Sequence, residues 1–381
     1  MKTVKLYYED AYIKEFEATV VSCLEVADRF DIVLDQTAFF PEEGGQSSDN
    51  GHIADVEVFD VREIDGIIHH YAKSPVNVGE SVLCRILFEE RIDKMRCHTA
   101  EHIISGLFHS IYGIENTGFH LGHEDVTFDT SKPVTREQLN NVERLANEAV
   151  MRNLKVTALF PSEEELRGMQ YRSKLELTDD VRIVVIGDVD SCACCAPHVA
   201  FTGEIGYIKF VDAVKHKGGS RVRMLAGMRA YSYVSRITAE ASLVSVLLSA
   251  PVTDIFGEVK KVTDGKAAAE YALSSMGCRM AKLLAENTKS CNGNLVVHLP
   301  LPDMEALRAY VNIAAERVSG ILVALIGCGE NYKYVLHYNS PDFAETVKNA
   351  NTALLGKGGG KTPMAQGSFS ATLMDIEKYF M

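Results

Sequence analysis

The chain reads as an α+β protein of several domains: a small N-terminal β-barrel, a mixed α/β middle, a helical linker and a C-terminal α/β domain. Three observations predict this order. Residues 1–90 set short β-branched runs between Gly, Asn and Pro turns. Residues 91–113 change to one helix-like stretch that ends at Gly113. Beyond residue 292, strand-like and helix-like segments alternate. A length of 381 residues gives room for two or three domains of roughly 100–200 residues each.

Taken in order, the runs 18–25, 31–35, 51–60 and 81–87 predict short strands, and several such strands at close spacing predict a barrel over 1–90. The segment LDQTAFFPEEGGQSSDNG lies among them and reads as a tight loop, with Gly44 and Gly45 free to take positive φ or to let another backbone approach. The helix RIDKMRCHTAEHIISGLFHSIYG opens the next region, 91–235. Two capping boxes follow, Thr135 with Gln138 and Ser162 with Glu165. Strand-like runs then return at 181–186, 206–211 and 220–225.

Pro251 divides the helical linker, 236–291. After it Val252, Ile255, Val259, Val262, Lys266, Ala269, Leu273, Met276, Met280 and Leu283 step by three and four, which predicts a coiled-coil-like seam paired with the helix before Pro251. Gly257, Gly265 and Gly277 weaken that helix, each by roughly 1 kcal/mol relative to Ala. The segments 295–299, 303–317, 321–326, 332–337 and 342–355 then give a small α/β domain over 292–381.

No apolar run approaches the ~20 residues needed to span a bilayer, and MKTVKLYYEDAY lacks the apolar core of a signal peptide, so no membrane partner and a cytoplasmic location are expected. The net charge is −13, and residues 1–90 alone hold 19 acidic against 7 basic residues. By contrast, residues 213–239 hold Lys215, Lys217, Arg221, Arg223, Arg229 and Arg236 with no acid in the segment. Such a strip can bind a polyanion on an acidic protein, because the screening length is only about 8 Å at physiological salt. Nine cysteines, three of them within 191–195, point to metal or catalysis rather than to disulfides in a reducing compartment.

His98 and His102 are four apart on the predicted helix, so both imidazoles project from one face. SCACCAPHV supplies a second close pair, Cys194 and His198. Together they make a complete set of donors for zinc, and neutral nitrogen with soft thiolate favours zinc over magnesium or calcium. Cys195 is an alternative to Cys194, and Cys192 or Cys97 an outer neighbour. A zinc peptidase is disfavoured: in His98-Thr99-Ala100-Glu101-His102 the glutamate stands beside the second histidine, where it cannot serve as that motif's general base. GKGGGKTPMAQGS fails as a phosphate loop, since position 355 is leucine where a glycine is required, but its glycines with Lys357 and Lys361 can meet phosphates.

These motifs resemble one family. LDQTAFFPEEGGQSSDNG resembles the glycine-rich strand-loop of the alanyl-tRNA synthetase editing region, RCHTAEHIISGLF its first zinc motif and CCAPHVAFTGEIG its second. GKGGGKTPMAQGS resembles the signature of the DHH-associated C-terminal domain. In this order they are similar to a free-standing alanyl-tRNA editing protein of the AlaX type, long form. The resemblance implies one zinc per chain on His98, His102, Cys194 and His198, and an editing domain over 91–235. It also implies a C-terminal domain that contacts tRNA, and hydrolysis of tRNA(Ala) mischarged with serine or glycine. Gly44, Gly45 and Gln46 are then expected at the substrate, and Lys215, Lys217, Arg221, Arg223, Lys357 and Lys361 at the tRNA. Glu101 and Asp125 are candidate catalytic neighbours, although each also reads as part of a solvated surface. A homodimer through the C-terminal region is compatible with the pattern. One departure stands out: the family's Cys-Gly-Gly-Thr-His is Cys194-Cys195-Ala196-Pro197-His198 here. The alternative reading is a non-catalytic tRNA-binding protein whose closed four-ligand zinc site is structural.

Overall fold

The computed structural model describes residues 2–122, 126–173 and 181–381. The chain divides into two compact units, Met1–Glu240 and Ala241–Met381.

In the first unit six strands close into a barrel, in the order Glu15–Val26, Arg29–Leu34, Ile67–Ala72, Val56–Ile64, Gly51–Ile53, Ser81–Ile86 and back to the first. The alternation read from the sequence is the physical cause. In Glu15–Val26, Phe16, Ala18 and Val20 point inward between exposed neighbours, and they meet Ile32, Leu34, Val58, Val61 and Ile68 in the barrel core. His70 is fully buried there; it bonds the Ile32 carbonyl through Nδ1 at 3.0 Å and Thr37 Oγ1 through Nε2 at 2.9 Å.

The segment after Leu34 is a loop between barrel strands, buried at its start and exposed at Glu42, Glu43, Gly44 and Gly45. Ala38, Phe39 and Phe40 are fully buried, the loop returns to the barrel at Gly51–Ile53, and helix α1, Phe88–Tyr112, follows the last barrel strand. Gly113 ends α1 in the left-handed conformation at φ 59°, as the sequence predicts. Arg91, on the first turns of α1, is wholly buried against Asp49. Its Nε donates to both Asp49 carboxylate oxygens, at 3.0 and 2.9 Å. Its other nitrogens donate to the carbonyls of Ala11 and Ala38, and Asp49 in turn accepts from the Phe40 N–H at 2.7 Å. Removing one partner of a pair this deeply buried leaves an uncompensated charge.

Beyond α1, four antiparallel strands lie in the order Ile208–His216, Gly219–Ala226, Val126–Thr130, Asn116–Leu121. Helix α2, Arg136–Met151, and the short α3, Glu163–Gly168, both start at the capping boxes read from the sequence. A second antiparallel sheet orders Val156–Leu159, Ile183–Ile186 and Asp190–Ala193. The core of this region joins Met95, Ile103, Ile104 and Phe108 of α1 with Val142, Phe128, Val222 and Met224.

Helix α4 spans Gly227–Leu248 and α5 spans Ile255–Glu286. The expected buried seam on α5 is instead an exposed face: Val262, Leu273, Met276 and Leu283 are 57–67% exposed. What α5 buries is the small-residue face Gly277, Ala281 and Ala285, against α6, Met304–Ala314. A Cβ on Gly277 would come within 2.4 Å of Pro302, so close contact with the chain entering α6 selects the glycine. A five-stranded sheet follows, ordered Leu295–His298, Leu322–Cys328, Asn331–His337, Met364–Phe369, Lys357–Lys361, with α7, Phe343–Ala353, and α8, Leu373–Phe380. The glycine segment expected as a loop is the edge strand of this sheet. Added Cβ atoms on Gly358 and Gly360 would collide with Gln366 O and Met364 O, so the missing side chains permit the pairing. Among the described residues no single helix is long and apolar enough to cross a membrane.

Two stability predictions follow from the buried polar groups. Arg91→Met should lower unfolding stability by about 3–5 kcal/mol, read by chemical denaturation; a loss below 1 kcal/mol would show that the pair does not lock the fold. Burial lowers the His70 pKa from its ordinary 6.5 to about 4, so the neutral form is the folded one. Its contribution is complete above about pH 6.5 and is lost as pH falls toward 4, about 3 kcal/mol in all. His70→Gln should flatten the loss of stability between pH 7 and pH 4; an unchanged slope would assign the loss to other groups.

Candidate metal centre

Helical spacing brings the first two side chains together. His98 and His102 lie one turn apart on α1, their ring centroids 5.3 Å apart. His198 completes the triangle at 4.9 Å from His98 and 4.6 Å from His102. The turn after strand Asp190–Ala193 delivers Cys194, whose Sγ is 3.6 Å from His98 Nε2 and 3.4 Å from His198 Nε2. Each of the four residues offers a donor atom within 4.8 Å of the others.

Two of the rings are hydrogen-bonded on their far side and the third faces a carboxylate. His98 Nδ1–H donates to Gln46 Oε1 at 2.8 Å. Thr99 gives its hydroxyl proton to the Met95 carbonyl at 2.7 Å, so its oxygen accepts from His198 Nδ1–H at 3.0 Å. His102 Nδ1 faces Asp190 Oδ2 at 3.2 Å, and Arg172 clamps that carboxylate at 2.7 and 2.8 Å. Acceptors at all three Nδ1 positions select the tautomer whose Nε2 lone pair faces the cluster, which is how histidine ligands of metals are held. A soft thiolate with three imidazoles suits zinc among common divalent ions, so the residues fit that metal.

Electrostatics favour the thiolate form of Cys194. Burial alone would raise the Cys194 thiol, but the imidazoles of His98, His198 and His102 hold it well below its ordinary value. Burial would lower His102, yet Asp190 and Cys194 raise it well above the usual histidine value. His198 is pushed down by burial to about 3.

The remaining cysteines separate clearly. Cys195 stands outside the donor group and packs beside Tyr7, Phe40 and Ala196; burial, Cys194 and Glu43 raise its thiol. Cys97 sits in the core of the first unit, and its thiol is raised to about 12 by burial. Cys192 is the outer neighbour, grouped with His102 and Asp190. Glu101 is buried rather than solvated, and accepts hydrogen bonds from Ser105 and Asn116. Asp125 lies outside the described residues.

Gly44 and Gly45 have φ of 62° and 86°, and a Cβ on Gly45 would come within 2.5 Å of Phe119 O. That close approach delivers Gln46 to His98. The turn that departs from the family pattern is held by Arg182, which donates to the carbonyls of Cys194 and Ala196 at 2.9 Å. Ala196 fills a small apolar cluster with Tyr7 and Phe40. The basic strip is less open than its sequence implies: Arg221 is paired with Asp129 at 2.7 Å and Arg223 with Asp212 at 2.6 Å. Lys215 and Lys217 are exposed around the hairpin turn, and Lys357 and Lys361 on the edge strand.

The model of the threonyl and alanyl tRNA synthetase second additional domain matches residues 181–225, and that of class II (A) tRNA synthetases matches residues 3–89. The alanyl-tRNA editing protein Aarsd1 of Mus musculus is 29% identical over 95% of this chain and 93% of its own length. The alanyl-tRNA editing protein AlaX-L of Pyrococcus horikoshii is 28% identical over 98% of this chain and 96% of its own. The alanine–tRNA ligase of Methanococcus vannielii is 30% identical over 100% of this chain, which spans 43% of that ligase.

If the four donors hold one ion, elemental analysis of protein purified without chelator should give about one zinc per chain. Cys194→Ala and His102→Ala should lose it, and Cys195→Ala should keep it. Asp190→Asn should weaken zinc about 10- to 100-fold in competition with a chromogenic chelator. Full zinc in Cys194→Ala would overturn the ligand set.

Proposed function

The chain belongs to the family of alanyl-tRNA editing proteins, and from that premise we propose that it hydrolyses tRNA(Ala) mischarged with serine or glycine at a zinc site formed by His98, His102, Cys194 and His198. Water adds to the ester carbonyl, the bond to the terminal ribose oxygen breaks, and the free amino acid leaves. The chemical need is clear: alanine differs from glycine by one methyl and from serine by one hydroxyl, and a binding pocket rejects such neighbours only ~100-fold.

The observation that carries this reading is the contact of the donor cluster with Gln46, a buried residue behind the wall of a cavity of about 920 Å³. Bound there, zinc would supply a Lewis-acidic positive charge that anchors and polarises the substrate. With four protein ligands already in place, we favour anchoring. Gln46 fixes His98 through Oε1, and its Nε2 is buried without a partner among the described residues. We assign that donor, which is shielded from solvent in the free chain, to an oxygen of the substrate. Gly44 and Gly45 leave backbone beside it free of side chains.

We further infer that Lys215, Lys217, Lys357 and Lys361 meet the tRNA backbone, with Arg221 and Arg223 contributing charge already shared with acids. The domains are assigned as 1–90, 91–235, 236–291 and 292–381, with tRNA contact in the last. Affinity should then fall steeply with salt.

Seryl-tRNA(Ala) should be deacylated at least tenfold faster than the alanyl form in a single-turnover assay. His102→Ala should abolish the activity, and deletion from residue 292 onward should weaken tRNA binding while leaving slow hydrolysis. Equal rates on both substrates would make the protein a general deacylase. Binding of tRNA with no hydrolysis of either would favour a structural zinc site in a tRNA-binding protein.

A further inference from the structure

We propose that Phe59 is the stacking platform for the base of the 3′-terminal adenosine of the aminoacyl-tRNA, seated in the cavity whose wall includes Gln46; this rests on the editing reading above. The ester to be cleaved is carried on that terminal ribose, so the adenine must sit within one sugar's length of the reacting carbonyl. The cavity of about 920 Å³ is lined by Gln46, Phe59, Arg62, Lys94, Met228 and Arg229, among others. Its volume is within the range of pockets that enclose a small ligand.

Phe59 reaches the cavity from the outer face of the barrel, as the residue next to inward-facing Val58. In Val56–Ile64, Val58 pairs with Ala72 and Asp60 pairs with Tyr71, so Phe59 is the extra residue of a β-bulge. Val58 and Val61 on either side point into the barrel and are fully buried. Alternation thus leaves the Phe59 ring outward and 38% exposed, and the bulge keeps Asp60 on the same side of the strand. Met228, at the start of α4 and 60% exposed, gives the cavity a second large apolar side chain.

The cations of this cavity argue for a base rather than for phosphate alone. Arg62 is held by Glu42 at 2.6 Å and Asp60 at 3.0 Å, and Arg229 by Asp93 at 2.7 Å. Lys94 donates to the Ser48 carbonyl at 2.5 Å, and burial lowers its pKa. Arg96, also on the wall, donates to the Glu204 carbonyl at 2.8 Å, so two cations are held by carboxylates and two by backbone carbonyls, and the groups left for a ligand are an apolar ring and, behind it, the solvent-shielded Gln46 Nε2. An adenosine offers a π-face to the first and ribose oxygens to the second.

The test uses the full chain and the trinucleotide CCA with 2-aminopurine as its 3′ base, whose fluorescence is quenched on stacking. Wild type should quench it; Phe59→Ala should bind about 10- to 100-fold more weakly and lose the quench, and Phe59→Tyr should keep both. With seryl-tRNA(Ala), Phe59→Ala should raise KM far more than it lowers kcat, while its zinc content and circular dichroism match wild type. Wild-type hydrolysis with unchanged binding and KM in Phe59→Ala would overturn the stacking site and leave the editing reading intact. Quenching by Phe59 without any hydrolysis of seryl-tRNA(Ala) would support the nucleoside site and count against the editing reading. Absence of CCA binding by wild type would overturn the stacking site outright.

Discussion

The buried pair Arg91–Asp49 fixes how the barrel meets the helix that carries the chemistry. Arg91 donates at once to Asp49 and to the carbonyls of Ala11 and Ala38, so three separate stretches of the N-terminal region end on one guanidinium. Asp49 follows Gln46 by three residues, and Arg91 precedes His98 by seven, close to two helical turns. Holding the first pair therefore places Gln46 against His98, at 2.8 Å, without any further adjustment of the loop. A wholly buried arginine is costly unless every donor is satisfied, and here the hydrogen bonds that satisfy it are also the ones that build the site.

The same economy holds on the other two histidines. Thr99 and Asp190 fix His198 and His102 from outside the cluster. Gly106 is what lets Asp190 come close: a Cβ there would sit 2.8 Å from the Val189 carbonyl and 2.9 Å from Asp190 itself. The turn between Cys194 and His198 lacks the glycines and threonine of the family pattern, and its geometry is instead secured by Arg182 beneath and by Ala196 packed with Tyr7 and Phe40. The departure changes how the turn is held, and the donor atoms still converge.

Much of this was legible in the sequence wherever the signal is local. Spacing of four placed His98 and His102 on one helical face, Gly113 marked the end of α1, and two capping boxes marked the starts of α2 and α3. What could not be read depends on pairing across the fold. The acids that neutralise Arg221 and Arg223 come from Asp129 on the neighbouring strand and from Asp212, which lies just outside the acid-free segment 213–239. Glu101 looked solvent-facing because its burial is set by Ser105 and Asn116. The heptad-like steps on α5 predicted burial, yet the helix turns its small residues to α6, since Gly277, Ala281 and Ala285 admit the closer contact. Gly106 within α1 was the one available sign of Asp190, and it carries meaning only once the sheet is in place.

Everything said of catalysis passes through the donor set, so its direct measurement decides most. Zinc K-edge X-ray absorption on the metal-loaded protein should show one sulfur at about 2.3 Å and three nitrogens at about 2.0–2.1 Å, with the sulfur lost in Cys194→Ala and retained in Cys195→Ala. A site with two sulfurs, or one whose sulfur survives Cys194→Ala, would contradict the account.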